Sequence, residues 1–327
     1  MRWALILFHV LALLLSVPCR AHEVRPAYLD LSEDRPGEFS VLWKTPMVGE
    51  MRLALNPTFS GPVEALTPVA ARRTGDAAVQ TWRLRADDLR GQTLRMEGLE
   101  TTLTDVLVRV AFADGSIWVE RLTPQHPGSV IPARPSAWNV AGTYSVLGVE
   151  HILMGIDHLL FVLALLLLTT GTWRLVKTVT AFTVAHSITL GLATLGIVHV
   201  PPKPVEAVIA LSIVFVAAEI LNTRRGQAGL AARLPWIVAF TFGLLHGFGF
   251  AGALSEVGLP EGQIPVALLF FNLGVEVGQL LFIAGVLAVL AGARRIRMAW
   301  PRWAELVPPY AIGSVATFWV IQRVSAF

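Results

Sequence analysis

A single cysteine, Cys19, occurs in 327 residues, so the chain builds neither an internal disulfide framework nor a thiolate-based zinc or iron–sulfur site. Charge is scarce as well: Asp, Glu, Lys and Arg make up 15% of the residues, against roughly 25% in an ordinary soluble domain. No Gly-x4-Gly-Lys-Ser/Thr loop is present, which leaves any nucleotide drive to another subunit, and no His-Glu-x-x-His signature of a helix-borne zinc protease occurs. The net charge of +3 is spread over short loops, and no basic stripe marks a nucleic-acid partner. What fills the sequence instead is apolar: 54% of residues are hydrophobic and the mean hydropathy is +0.61. Long apolar runs of this kind place the chain among integral membrane proteins, with the lipid bilayer as its first partner.

The first residues, Met1 to Val24, read as a short basic start, an apolar run over 4–17 and small residues before His22. They predict a signal peptide over 1–21, cleaved after Ala21, with an uncleaved anchor as the alternative. The mature chain would then begin His22-Glu23, a pair whose amine and imidazole could capture a metal; an ordinary residue following the cleavage site is the plainer reading. Residues 22–135 change character. Alternating stretches at 38–44, 79–85, 105–112 and 116–122 are separated by Gly, Pro and Asp, and Ala113-Asp114-Gly115-Ser116 reads as a hairpin turn. The expectation is a small all-β, immunoglobulin-like extracytoplasmic sandwich with Trp43, Trp82 and Trp118 in its core. A Pro-rich tract from Pro124 to Pro135 leads through a linker, 136–142, into the rest.

From 143 to 327 the apolar segments reach spanning length at 143–170, 175–197, 204–222, 235–254, 264–290 and 304–323, predicting a bundle of six transmembrane helices. Segments 171–178, 223–234 and 291–303 carry nine Lys or Arg, whereas 198–203 and 255–263 carry only Lys203. The positive-inside bias therefore puts the β domain and the C-terminus outside, which means the periplasm if the membrane is a bacterial inner membrane.

Ionisable residues are costly in lipid, yet Glu150, His151, Asp157 and His158 fall within nine positions of the first span. At about 100° per residue, these four and Met154 share one sector of about 120° on a continuous helix, a face that must look into the bundle. Later helices add Thr183, His186 and Ser187; Ser212 and Glu219; His246 among Gly243, Gly247 and Gly249; and Asn272, Glu276 and Gln279. The sixth supplies little before Gln322 and reads as a packing helix. Imidazoles and carboxylates without thiolates suit nickel, cobalt or zinc, with copper less favoured, and ligands spread over several helices suit a permeation route. Plainer readings stand beside these. His186 could be a hydrogen-bonded packing residue, Glu219 could pair with Arg224 or Arg225, Gly243 and Gly247 read as packing notches, and Asn272, Glu276 and Gln279 could form a network without metal. His199 reads as an ordinary loop residue.

The His-x5-Asp-His pattern of His151, Asp157 and His158 is followed by Phe182-Thr-Val-Ala-His-Ser-Ile-Thr-Leu190, Phe242-Gly-Leu-Leu-His-Gly-Phe-Gly-Phe-Ala251 and Phe271-Asn-Leu-Gly-Val-Glu276. Over about residues 143–323 this resembles the HupE/UreJ family of hydrogenase- and urease-associated membrane proteins. The resemblance implies a secondary permease for nickel or cobalt, without organic cofactor and with metalloenzyme maturation proteins as candidate partners. It also implies metal recognition by His151, Asp157 and His158, with His186, His246 and Glu276 as matching residues and Glu150, Met154, Thr183, Ser187, Glu219, Asn272 and Gln279 in support. The chain departs from the pattern in two ways: Ile152 stands where shorter members have Pro, and a large exterior domain precedes the helices. An intramembrane zinc-dependent hydrolase, or a metal-binding sensor or assembly factor, would use similar donors.

Overall fold

A computed structural model of the protein describes residues 26–48, 51–74, 77–134, 137–257, 264–295 and 302–325. The expected signal peptide over 1–21, the His22-Glu23 pair, and parts of the 255–263 and 291–303 loops lie outside the described residues.

Among the described residues eleven strands come first: β1 Ala27–Arg35, β2 Glu38–Val48, β3 Met51–Arg52, β4 Asn56–Phe59, β5 Glu64–Ala65, β6 Ala70–Thr74, β7 Ala77–Arg85, β8 Thr93–Glu97, β9 Val106–Ala111, β10 Ile117–Leu122 and β11 Gly128–Val130. The four alternating stretches of the sequence are β2, β7, β9 and β10. Their sheet runs β10-β9-β1-β2-β7-β5, with β3 on β2 and β6 on β7; a three-stranded sheet, β11-β8-β4, covers it. β1 pairs parallel to β9, while β2 and β10 flank these two antiparallel. The β9–β10 turn falls at Ala113–Ser116, where Gly115 takes φ +81°, a left-handed conformation that Gly adopts without steric cost. Alternation delivers Leu29, Leu31, Phe39, Val41, Trp43, Val108, Val110 and Trp118 to one apolar core, with Trp82 partly buried at its margin.

Eight α-helices follow among the described residues: α1 Ala137–Met154, α2 Ile156–Leu168, α3 Thr172–Thr194, α4 Pro202–Arg224, α5 Leu230–Arg233, α6 Pro235–Val257, α7 Ile264–Arg295 and α8 Val307–Val324. α1 starts at Ala137, inside the stretch read as linker. Among the described residues, four helices are long and apolar enough to cross a membrane, and α1 with α2 counts as a fifth if that bent pair is one span. The described apolar stretch of α6, Pro235–Gly249, is shorter. Membrane association follows from these runs, each of which bonds its backbone internally.

Glycines set the closest helix contacts. A Cβ at Gly243 would lie 2.5 Å from the Phe182 carbonyl oxygen, and one at Gly247 would lie 2.5 Å from the His186 carbonyl oxygen, so α6 lies against α3 as the notch reading anticipates. Gly148, Gly274 and Gly278 bring α1 against α7 in the same way. The β region joins the helices through its edge strand. Tyr28, Leu107, Ile117 and Val119 pack with Val140, Tyr144, Ile152, Phe271 and Val275. Asn139 Oδ1 accepts the Val119 N–H at 3.0 Å, and the Thr143 hydroxyl donates to the Val119 carbonyl at 3.3 Å. α1 thereby covers an edge that would otherwise offer unpaired backbone groups.

Candidate metal centre

The first apolar segment is not one helix. α1 ends at Met154, Gly155 has extended backbone, and α2 leaves at 75° to α1. The helical-face expectation for residues 150–158, which required a continuous helix, is corrected here. Space is the physical reason: a Cβ on Gly155 would lie 2.8 Å from His158 Nδ1 and 3.0 Å from the His151 carbonyl oxygen. The break leaves the Gly155 backbone satisfied: its N–H donates to the His151 carbonyl at 3.0 Å and its carbonyl accepts the Leu159 N–H at 2.9 Å.

The break separates the signature residues into two groups. His151 lies in the last turn of α1; Asp157 and His158 lie in the first turn of α2, where the positive end of the helix dipole favours a carboxylate. Asp157 Oδ1 accepts the His158 backbone N–H at 2.9 Å and stands 3.0 Å from His158 Nδ1. Two further imidazoles complete the cluster, His186 from α3 and His246 from α6. Ring centroids are 4.9 Å apart for His151 and His158, 5.2 Å for His158 and His246, and 6.3 Å for His186 from both His151 and His158. Phe161, Phe182 and Phe271 wall the group, with centroids 5.0 and 5.1 Å from His246 for the first two and 5.5 Å from His151 for the third.

Hydrogen bonds fix which nitrogen is available. A carbonyl only accepts, so His246 Nδ1, 2.8 Å from the Phe242 oxygen, carries the hydrogen and leaves Nε2 with its lone pair. Beside the Asp157 carboxylate, which accepts, His158 Nδ1 is likewise the donating nitrogen. His158 Nε2, His246 Nε2 and both nitrogens of His186 are buried without a hydrogen-bond partner in the protein. Each such atom costs about 1–3 kcal/mol when left unpaired, and native proteins keep few of them. Among the described residues, no three His, Cys, Asp or Glu side chains stand as a finished coordination group. The rings converge without forming an arrangement that could hold a metal ion as it stands.

The remaining site candidates are placed elsewhere. Met154 is 80% exposed. Glu150 turns to the β region and ion-pairs with Arg121, which also donates to Asp105 at 2.5 Å. Glu276 accepts the Thr180 hydroxyl at 2.5 Å, and Gln279 Oε1 accepts the Thr183 hydroxyl at 3.1 Å, so these α3–α7 contacts flank the rings. The Ser187 hydroxyl and the Asn272 amide donate back to the Thr183 and Leu268 carbonyls of their own helices. Buried Glu219 makes no ion pair with Arg224 or Arg225, the plainer of its two readings. It accepts the Ala231 N–H at 3.1 Å and so caps the short α5, while Arg224 pairs with Glu305. Sequence reasoning missed Arg323: the last helix, read as packing only, brings its guanidinium to 3.4 Å from Asp157 Oδ2. A lone Arg near a helix end gives no periodic signal.

A family model described as HupE / UreJ protein matches residues 128–323. No curated protein and no solved structure matches the chain. The match takes in more than half of the 327 residues, including all four histidines and the break between α1 and α2, and on that ground this membrane protein belongs to the HupE/UreJ family.

Proposed function

We propose that the chain is a secondary membrane permease for a divalent transition-metal ion, nickel or cobalt, which it carries as substrate and not as a resident cofactor. The carrying observation is the convergence of four imidazoles at a broken helix, with buried lone pairs on His158, His186 and His246 that nothing in the protein satisfies. Discontinuous helices that enclose a polar site within the bundle are a recurrent device of transporters. In this reading His151, His158, His186 and His246 take the ion in turn, and Asp157 orients His158 with one oxygen while offering the other. Glu276 with Thr180, and Gln279 with Thr183, form the polar continuation of the route.

The proposed organisation is a signal peptide over 1–21, an immunoglobulin-like β domain over 22–135, a linker over 136–142 and a six-span bundle over 143–327. The β domain and the C-terminus stand in the periplasm and the bundle in the inner membrane. Two sheets sharing one apolar core support the sandwich, and the distribution of basic loops supports the orientation. The family associates the chain with maturation of metalloenzymes and not with catalysis. A zinc-dependent membrane hydrolase, or a sensor that binds the ion without moving it, would use the same imidazoles.

The deciding experiment is time-resolved uptake of radioactive nickel and, separately, cobalt by cells lacking their own high-affinity systems. Wild type is compared with His158→Ala at matched membrane levels. Saturable accumulation that the variant loses is the expected result. Wild-type protein in the membrane with no accumulation of either ion would remove nickel and cobalt import.

A further inference from the structure

Arg323 stands beside the imidazole cluster, where a fixed positive charge opposes the binding of a cation. Its contacts explain how the two coexist. Asp157 Oδ1 is committed to His158, and Oδ2 faces Arg323 Nη2 at 3.4 Å. That distance is long against the roughly 2.7–2.9 Å of a tight charge-assisted bond, so this is a loose contact. The firmer hold is on α4: Arg323 Nη1 donates to the Glu206 carbonyl at 2.8 Å, and the Glu206 carboxylate waits 3.9 Å from Nε. The guanidinium also lies 5.7 Å from the Trp319 ring centroid, on its own helix. Arg323 is thus anchored to Glu206 and Trp319 and leans on Asp157.

We propose that Arg323 is a tethered cation which neutralises Asp157 Oδ2 until a divalent ion takes that oxygen, whereupon the guanidinium withdraws to the carboxylate of Glu206. The inference rests on the metal-permease reading of the histidine cluster. An Asp157 carboxylate left alone in the bundle would be a half-buried, uncompensated charge, which Arg323 prevents. An arriving dication brings two charges against one and displaces it. A monovalent ion would only exchange one charge for one, so the device favours divalent over monovalent cations by making the wrong ion compete with a resident charge. Arg323 and Glu206 are therefore positioning residues that act through Asp157.

Equilibrium binding of radioactive nickel ion to the purified full-length protein in detergent tests this, with and without excess sodium. Arg323→Gln removes the competitor and is expected to tighten binding about tenfold, and to let sodium compete where it does not in wild type. Glu206→Gln removes the withdrawal partner and is expected to weaken binding by about the same factor, while Arg323→Lys stays within about threefold of wild type. Arg323 and Glu206 acting only as structural braces would make both glutamine variants weaken binding, so opposite signs carry the proposal. Nickel binding by wild type that Arg323→Gln leaves unchanged or weakens overturns it. Should that variant fail to fold, unchanged binding in Glu206→Gln overturns it as well, and weakened binding there with retained affinity in Arg323→Lys supports it. Absence of nickel binding in the wild-type protein would remove the permease reading itself, and this inference with it.

Discussion

The β region and the helical region treat their buried ionisable side chains differently. In the β region Arg109 reaches Asp30 at 2.6 Å and Arg121 reaches Asp105 at 2.5 Å, so the half-buried charges there sit in ion pairs. Tyr28 lies in the first of these clusters, and burial pushes its phenol well above the usual tyrosine range, with the neighbouring Asp30 adding to the rise. In the helical region, where an unpaired polar atom is costlier, His158, His186 and His246 keep nitrogens that no protein group satisfies. One region pairs its charges internally; the other leaves imidazole nitrogens to be satisfied by a group from outside the protein, whether water or a bound ion. Most of the helical region's cost gathers where α1, α2, α3 and α6 meet, with Asn272 Oδ1 and Gln279 Nε2 on α7 adding to it, while the Ser187 hydroxyl nearby bonds its own helix backbone.

A pair of substitutions tests that contrast at its strongest. His186→Phe fills the space with an aromatic ring and deletes two unsatisfied nitrogens. Uptake is expected to fall by more than the roughly 10–100-fold that loss of an outer-shell partner costs a metal site. The melting temperature of the purified protein should meanwhile stay level or rise, as trade-offs between function and stability predict. Trp43→Ala does the reverse: Trp43 is 2% exposed in the β core, and its truncation is expected to cost about 3–5 kcal/mol. The cost should appear as early unfolding of the β region in near-ultraviolet circular dichroism, with the ion affinity of protein that remains folded unchanged. A large loss of stability in His186→Phe would instead return that residue to an ordinary packing role.

Much of the molecule was legible in the sequence, and the failures have one cause. Period-two alternation located β2, β7, β9 and β10, and the burial of Trp43 and Trp118 followed from it. The apolar runs located the helices, and the polar positions His151, His158, His186 and His246 are the rings that meet. What escaped was set by partners distant in sequence. Helical periodicity assumes an unbroken helix, so it could not show that the His158 ring takes the space beside Gly155. Nor could it show that Arg121, from a different region, draws Glu150 away from the cluster, or that Ala231 offers Glu219 a backbone N–H. The hint available was local: Gly155 followed two residues later by Asp157 has the look of one helix ending and another starting.

Gly155 gives the intermediate test. Its backbone, φ −76° and ψ 90°, is open to any residue, so substitution acts through space alone. Gly155→Ala places a methyl against His158 Nδ1 and the His151 carbonyl, the two groups that must stay in place for the rings to converge. Overpacking of this sort typically costs about 1–3 kcal/mol, and here it should displace the His158 ring from Asp157. The expected outcome is reduced nickel affinity with an intact β region, read by equilibrium binding and by circular dichroism on the same sample. Wild-type affinity in Gly155→Ala would mean that the bend is incidental to the site.

The smallest effect is expected at Met154, and it separates two pictures of the same motif. On a continuous helix Met154 would share the face of His151 and Asp157, and its thioether would give the site a soft donor suited to monovalent copper. With the 75° turn at Gly155 the side chain is instead 80% exposed. Met154→Ala should therefore alter stability by no more than about 0.5 kcal/mol, as substitutions away from packed features do. Binding of nickel, cobalt and monovalent copper, each measured against wild type, should be unmoved. If copper affinity alone fell, the thioether would have to reach the cluster, which it can do only if α1 and α2 straighten. Met154 thus reports whether the bend persists when the ion is bound, and an unchanged copper affinity keeps the site one of imidazole and carboxylate donors.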